Sequence, residues 1–339
     1  MLTCSWRLEV RWVDTTYKSM AATSGTTSVP RASLVPMAGR RQEEQAALVA
    51  LLRLRPQGLR WAELTEHVLE HGSAMAALRF LTGDQLFLTA DQEAELASAA
   101  RDIRVWHKEG LLFTTVLDVD FPSRLRDVHQ VPPFLFARGE LRPGDVGVSV
   151  VGSRSASEQG IKMATSVARA LVDEGISVIS GLASGIDTAA HRAALGAGGR
   201  PVGVVGTGIR LQYPAANREL HEQVSRHGLL LSQFWPDAPP RKQAFPMRNA
   251  TMSAYGVATV VIEAGEHSGA RIQARLAVEH GRPVILTDLV LEATDWAKDL
   301  RDRPGVHVAH STQEVVALVR GLQALNDDVA STLHALSAL

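Results

Sequence analysis

The sequence has little of what marks several protein classes. Of its 339 residues only Cys4 is a cysteine, which excludes a disulfide scaffold and a cysteine-ligated zinc site. No apolar run reaches the ~20 residues that a membrane-spanning helix needs. Charge of one sign is not in excess either, since 35 Lys and Arg stand against 36 Asp and Glu. These absences favour a soluble protein of a reducing compartment, such as the cytoplasm, with no membrane partner.

The chain is rich in apolar residues, at 45%, and contains 27 glycines, and its length allows two or three domains. Its charge is unevenly spread. Residues 42–144 hold 11 basic and 15 acidic residues, whereas residues 152–288 hold 14 basic and 11 acidic ones. The glycine-rich middle is therefore mildly basic beside an acidic segment, a distribution that suits an anionic ligand.

Residues 1–41 carry six Lys and Arg against two acidic residues, and the stretch from Thr15 to Gly39 has no apolar period. We interpret them as a disordered basic arm; an arm that touches nucleic acid and an upstream start codon remain alternatives. Residues 42–112 follow as a helical N-terminal module, because apolar residues recur at helical spacing from Ala46 to Leu52. This module is acidic, so docking against the next domain is favoured over DNA binding.

Residues 113–322 alternate apolar strands with amphipathic helices, and residues 323–339 form a C-terminal tail. The strands are expected at Val146–Val151, Ile176–Ile179, Pro201–Val205, Leu229–Leu231, Val257–Ile262 and Pro283–Leu286. Apolar strands separated by helices predict a mostly parallel sheet that is covered on both faces. The fold class is thus α/β, with an extended Rossmann-like, doubly wound sheet preceded by a small helical domain.

Most of these strands end in a loop rich in Gly and Ser that leads into a helix. In open α/β sheets ligands bind outside the carboxyl ends of the strands, and helix N-termini attract phosphate. Several such loops predict a site for more than one phosphate. The first strand is followed by Gly152-Ser153-Arg154 rather than G-x-G-x-x-G, which argues against NAD. We expect no cofactor and no metal.

The motifs argue against a hydrolytic active site built on serine or histidine. Ser184 does not stand in a G-x-S-x-G elbow, and Asp187 with His191 is interpreted as a helix cap and a packed histidine. His221 and His227 are too far apart for a metal pair on one helix face. Glu263, at the end of the fifth strand, is the one carboxylate placed like a catalytic group, so a nucleotide sensor or nucleotide-cleaving enzyme remains the alternative function.

The order of motifs resembles a known family. It includes Gly152-Ser153-Arg154, the block Ser180-Gly181-Leu182-Ala183-Ser184-Gly185-Ile186-Asp187, Gly206-Thr207-Gly208, Tyr213-Pro214, and Phe245-Pro246-Met247-Arg248-Asn249. Over about residues 113–287 the sequence is similar to the DprA/Smf family of DNA-processing proteins. The resemblance implies a non-enzymatic Rossmann-like domain that binds and protects single-stranded DNA. It also implies a homodimer that helps to load the RecA recombinase, as in natural transformation.

The resemblance also assigns candidate DNA contacts. Arg154 and Arg248 match phosphate-binding arginines, and Phe245 would either stack on a base or pack as a hinge. Ala250 stands where a second arginine usually follows, which removes one phosphate contact. The full set of candidate DNA or phosphate contacts is Gly152, Ser153, Arg154, Ser180, Gly181, Ser184, Gly185, Gly206, Gly208, Lys242, Phe245, Arg248, Asn249, Ser268 and Gly269.

Overall fold

The N-terminal part of the structure is helical. The computed structural model describes residues 38–83 and 88–337, so residues 1–37 of the predicted arm lie outside it. The last four residues of that arm begin the first helix instead. The helices of this part are α1 (Ala38–Leu54), α2 (Trp61–His71), α3 (Ala74–Leu81) and α4 (Ala90–Lys108).

One sheet of nine strands organises the rest of the described chain. Its order is β1-β2-β6-β5-β4-β3-β7-β8-β9. The strands are β1 (Leu112–Thr115), β2 (Phe134–Gly139), β3 (Gly147–Val151), β4 (Ser177–Ser180), β5 (Pro201–Val204), β6 (Leu229–Ser232), β7 (Ala258–Val261), β8 (Val284–Thr287) and β9 (Val306–Ala309).

The sheet is parallel from β6 to β9, and only the β1–β2 and β2–β6 pairs are antiparallel. Helices cover both faces of the sheet, because successive side chains of each strand point to opposite faces and both sets are mostly apolar. They are α5 (Glu158–Asp173), α6 (Ile186–Gly196), α7 (Arg218–His227), α8 (Ala244–Tyr255), α9 (Gly269–Glu279), α10 (Asp288–Ala293), α11 (Asp295–Arg301) and α12 (Thr312–Ser337). The predicted fold class is confirmed.

The helical part and the antiparallel end of the sheet share one hydrophobic cluster. Residues 46–52 of α1 are all buried, and they belong to the same cluster as Phe134 and Phe136 of β2. Aromatic rings join the two regions, since Trp106 of α4 lies edge-on to Phe136 with ring centroids 4.8 Å apart. The acidic helical segment therefore packs against the sheet.

Four elements of the structure were not predicted from the sequence, namely strands β1 and β2 and helices α8 and α10. Strands β1 and β2 were not foreseen, because residues 116–133 connect them and no two-residue turn marks them as a hairpin. Helix α8 was missed because Pro246 stands in its first turn, a position at which proline is tolerated. No helix among the residues that the structure describes is long and apolar enough to cross a membrane.

Candidate nucleic-acid interface

A cleft of about 480 Å³ opens at the carboxyl ends of β3 and β7. The chain leaves β3 towards β4 on one side and returns to pair with β3 through β7 on the other. This reversal of strand order creates the crevice in which doubly wound proteins bind ligands. Among the candidate residues, the cleft is lined by Gly152, Ser153, Arg154, Phe245, Arg248, Asn249, Ser268 and Gly269.

A row of three side chains runs outward from the cleft, with Arg154 and Tyr213 exposed at its ends and Phe245 half-buried between them. The guanidinium of Arg154 lies over the ring of Phe245 at 5.6 Å, and the Phe245 ring is 5.9 Å from that of Tyr213. Phe245 also packs against Gly206, where an added Cβ would be 2.8 Å from the ring. Tyr213 is 44% exposed. Tyr213 was not among the predicted contacts, although the Tyr213-Pro214 motif was a signal for it.

Arg248 lies at the floor of the cleft and is buried. Its Nη1 donates to the carbonyl oxygens of Gly181 and Val204, both at 2.7 Å, so the side chain ties together the ends of β4 and β5. Burial lowers the pKa of Arg248, and the nearby carboxylate of Asp187 opposes that shift. This guanidinium is thus part of the framework of the site, in addition to being a source of positive charge.

The loop after β4 is folded around Asp187. Its carboxylate accepts hydrogen bonds from the backbone N–H groups of Gly181 at 3.1 Å and Ala183 at 3.3 Å. Burial raises the pKa of Asp187, whereas Arg248 acts in the opposite direction. Ser180 is fully buried and donates its hydroxyl to the carbonyl of Val150. In this conformation Ser180 and the Gly181 N–H therefore face the protein rather than the cleft.

The N-terminus of α5 is likewise occupied by a carboxylate. Glu263 accepts from the Ser157 hydroxyl at 2.7 Å and from the Ser157 backbone N–H at 3.1 Å. From the sequence, Glu263 is the one carboxylate placed like a catalytic group. In the structure Ser157 caps α5 by accepting from the Gly160 N–H, and Glu263 binds Ser157 and places its negative charge at this N-terminus.

The N-terminus of α9 is open by comparison. Its first turn contains no acidic residue, and both Ser268 and the exposed Gly269 line the cleft. The Ser268 hydroxyl caps the helix by accepting from the Ala270 N–H at 3.1 Å. Asn249 holds this turn in place, because its side-chain amide donates to the Gly269 carbonyl at 3.2 Å. An anion could approach the helix dipole here without meeting a carboxylate of the first turn.

Several predicted residues lie away from the cleft wall. Gly206 and Gly208 are buried, and a Cβ on Gly208 would run into the carbonyl of Pro236. These two glycines allow close packing of the chain. Ser184 and Lys242 are exposed, but neither lines the cleft. Gly185 has a φ of 76°, and a Cβ added to it would collide with the carbonyl oxygen of Ser153.

Comparison with known proteins agrees with this architecture. The family model described as DNA recombination-mediator protein A matches residues 112–311. The chain belongs to this family. The DNA recombination-mediator protein A model covers the whole sheet and the loops of the cleft, which confirms the resemblance to DprA/Smf proteins seen in the motifs.

Individual relatives align with different shares of this chain and of their own length. The chain is 40% identical over 208 residues to the DNA processing protein DprA of Streptococcus pneumoniae, covering 60% of this chain and 72% of that protein. It is 38% identical over 177 residues to the protein Smf of Synechocystis, covering 51% of this chain and only 44% of that protein.

Two solved structures share the fold. The X-ray structure of DprA from Streptococcus pneumoniae superposes with a TM-score of 0.62 at 29% identity, covering 81% of this chain and 95% of that one. DNA processing protein A from Helicobacter pylori, a structure that concerns its single-stranded DNA binding mode, gives 0.55 at 21% identity, covering 62% and 96%. The latter likeness establishes the fold alone.

Proposed function

We propose that this chain binds single-stranded DNA along the carboxyl edge of the sheet, across the ends of β3 and β7. The observation that carries the proposal is the row of Arg154, Phe245 and Tyr213, of which Arg154 and Phe245 line the same cleft as the α9 N-terminus. Proteins that bind single strands without sequence preference combine a cationic groove with aromatic side chains on which bases stack. This row offers both features within one short stretch of surface.

Each part of the row has its own role in the proposal. Arg154 pairs with a phosphate, and a second phosphate lies at the N-terminus of α9 near Gly269. Bases stack on Tyr213 and on the accessible part of Phe245. Arg248 adds buried positive charge beneath the strand without leaving its carbonyl partners. Little of this surface reads base edges, so we expect weak dependence on sequence.

The wider role proposed here follows family membership. The chain would act as a non-enzymatic homodimer that protects single-stranded DNA and helps to load a RecA-type recombinase, as in natural transformation. The engagement of both Glu263 carboxylate oxygens by Ser157 supports binding over cleavage, because that carboxylate already has partners.

A length series tests the proposal. We expect the affinity for fluorescent oligo-dT, measured by anisotropy, to rise from a mononucleotide to a strand of several nucleotides and to fall steeply with salt. Arg154→Ala should weaken binding and lower the log–log salt slope by about 0.7, the value for one phosphate contact on a single strand. Arg320→Ala is the matched control, since Arg320 is ion-paired to Glu174 and does not line the cleft.

A mononucleotide sensor would behave differently. The cleft volume of about 480 Å³ would hold one nucleotide as its whole ligand. If AMP binds as tightly as a ten-base oligonucleotide, or if Arg154→Ala and Arg320→Ala bind alike, the strand-binding proposal is wrong.

A further inference from the structure

Helix α2 carries two histidines and a glutamate on one face, away from the functions discussed above. His67, Glu70 and His71 stand at positions i, i+3 and i+4, which bring side chains together on a helix. One potential ligand atom from each residue lies within 4.8 Å of the other two. It is the one such group of three among the residues that the structure describes. This spacing is not part of the family motifs identified in the sequence.

The distances within the group match those of a metal site. His67 Nδ1 and Glu70 Oε2 are 3.4 Å apart. Two ligands about 2.1 Å from one tetrahedral zinc ion are separated by roughly that same distance. His67 Nδ1 is buried and has no hydrogen-bond partner within the described part of the chain. An ion placed between His67 and Glu70 would supply the missing partner.

The tautomer of His71 is fixed in a form that can bind metal. Its Nδ1 is 2.8 Å from the backbone carbonyl of His67, and a carbonyl can only accept, so Nδ1 carries the proton. In the neutral ring Nε2 is then a free electron-pair donor. A backbone carbonyl that holds one ring nitrogen while the other binds metal is the usual arrangement around protein-bound ions.

Neighbouring residues hold the group in place. Phe80 of α3 packs against both imidazoles, with ring centroids 5.9 Å from His67 and 4.9 Å from His71. The helix itself is closed at both ends, by the Glu63 carboxylate, which accepts from the Arg60 backbone N–H at 2.7 Å, and by Gly72 in the left-handed conformation. The two imidazoles are thus packed in place before any ion arrives, which reduces the entropic cost of binding.

We infer that His67, Glu70 and His71 form a binding site for a divalent transition-metal ion of borderline softness, with Zn²⁺ as the best match. Two imidazoles and one carboxylate are ligands that Zn²⁺ favours, whereas Mg²⁺ and Ca²⁺ favour all-oxygen sites. Three protein ligands leave one tetrahedral position for water. This site is independent of the DNA-binding surface proposed above.

Metal titration of the full-length, tag-free protein tests the inference. We expect one Zn²⁺ to bind per chain in competition with a chromophoric chelator, and Co²⁺ to give the visible absorption of a tetrahedral site. His71→Gln and His67→Gln should each weaken Zn²⁺ binding at least tenfold and abolish the Co²⁺ spectrum. Glu66→Gln, an exposed acid on the same helix, and His107→Gln, an exposed histidine on α4, should bind as the parent does.

Thermal melting with and without Zn²⁺ distinguishes loss of the metal site from loss of the fold. Zn²⁺ should raise the thermal midpoint of the parent protein, because it binds only the folded helix, and it should not raise that of His71→Gln. Without metal the two proteins should melt alike, which shows that the variant is folded. If folded His67→Gln and His71→Gln bind Zn²⁺ as tightly as the parent, or if the parent binds Mg²⁺ more tightly than Zn²⁺, the inference is wrong.

Discussion

Glu263 and Ser157 are joined by hydrogen bonds although 106 residues separate them in the chain. The carboxylate at the end of β7 receives both the hydroxyl and the backbone N–H of the residue that precedes α5. This contact closes the α5 N-terminus, where a Rossmann-like fold commonly receives a phosphate. It directs the proposed phosphate position to α9 instead.

The first prediction concerns this contact. Glu263→Ala should lower the free energy of unfolding by about 1–2 kcal/mol, because α5 loses a charged partner at its N-terminus. Urea denaturation measures the change. Glu263→Gln should lose less, since an amide oxygen still accepts from Ser157. Equal stability of all three proteins would show that the contact does not stabilise the fold.

Arg248 should behave as a structural residue when it is removed. Arg248→Met leaves the carbonyls of Gly181 and Val204 and the carboxylate of Asp187 without their buried cation. We expect a loss of about 3 kcal/mol or more in urea denaturation. Arg154→Met, at the exposed end of the row, should stay within about 0.5 kcal/mol of the parent. Similar midpoints for the two variants would contradict this assignment, and a destabilised Arg248 variant cannot serve as a binding probe.

Gly269 separates folding from binding at the α9 N-terminus. An added Cβ would meet nothing within 4 Å, so Gly269→Ala should leave the unfolding free energy unchanged. The same methyl group would stand between a phosphate and the helix N-terminus, and we expect several-fold weaker oligo-dT binding by anisotropy. Gly321→Ala on α12, also in open space, is the control. Parental affinity of the Gly269 variant would place the phosphate elsewhere.

Tyr213 should contribute by stacking. Tyr213→Ala removes an exposed ring, and loss of one base–aromatic stack costs about 1–3 kcal/mol of binding free energy, or roughly five- to 150-fold in affinity. Tyr213→Phe keeps the ring and should bind as the parent does. Anisotropy at constant salt measures both variants. If Tyr213→Ala binds dT strands normally, the bases do not reach this end of the row.

His191 predicts a dependence of stability on pH. Burial, with the positive charge of Arg248 nearby, lowers the pKa of His191 to about 3. The unfolded chain protonates this histidine near pH 6.5 while the folded chain does not, so stability falls as the pH drops between those values. His191→Gln should reduce the slope between pH 6 and 5 by about 1 kcal/mol per pH unit. Exposed His227→Gln should leave it unchanged, and equal slopes for all three would refute the prediction.

The sequence was sufficient for the parallel strands and for the edge at which the site lies. Apolar runs such as Val146–Val151 are long enough to be recognised as buried strands, and the motif Gly152-Ser153-Arg154 marks the first loop. The sequence could not show which backbone N–H groups of the loops already donate to an acceptor within the protein. The Asp187 acceptors lie four and six residues from their donors, but the Glu263 carboxylate reaches the Ser157 N–H across 106 positions, and that contact depends on the tertiary fold.

The sequence also could not separate a surface arginine from a buried one. Arg154 and Arg248 each stand in a family motif, yet one is exposed and the other is buried and donates to two carbonyls. That difference arises where β4 and β5 end side by side. It makes Arg154 the better test of DNA binding.

The pairing of β2 with β6 has a consequence for the order in which the protein forms. The β1–β2 hairpin is synthesised first, but its inner edge, Phe136–Gly139, pairs with Leu229–Ser232. At a ribosomal rate of about 5–20 residues per second, β6 is synthesised several seconds after β2, and the inner edge of β2 is unpaired until then. During this interval β2 exposes unpaired backbone groups beside the aromatic rings of Phe134 and Phe136. Helices α1 and α4, made earlier still, are the segments available to cover those rings on the nascent chain.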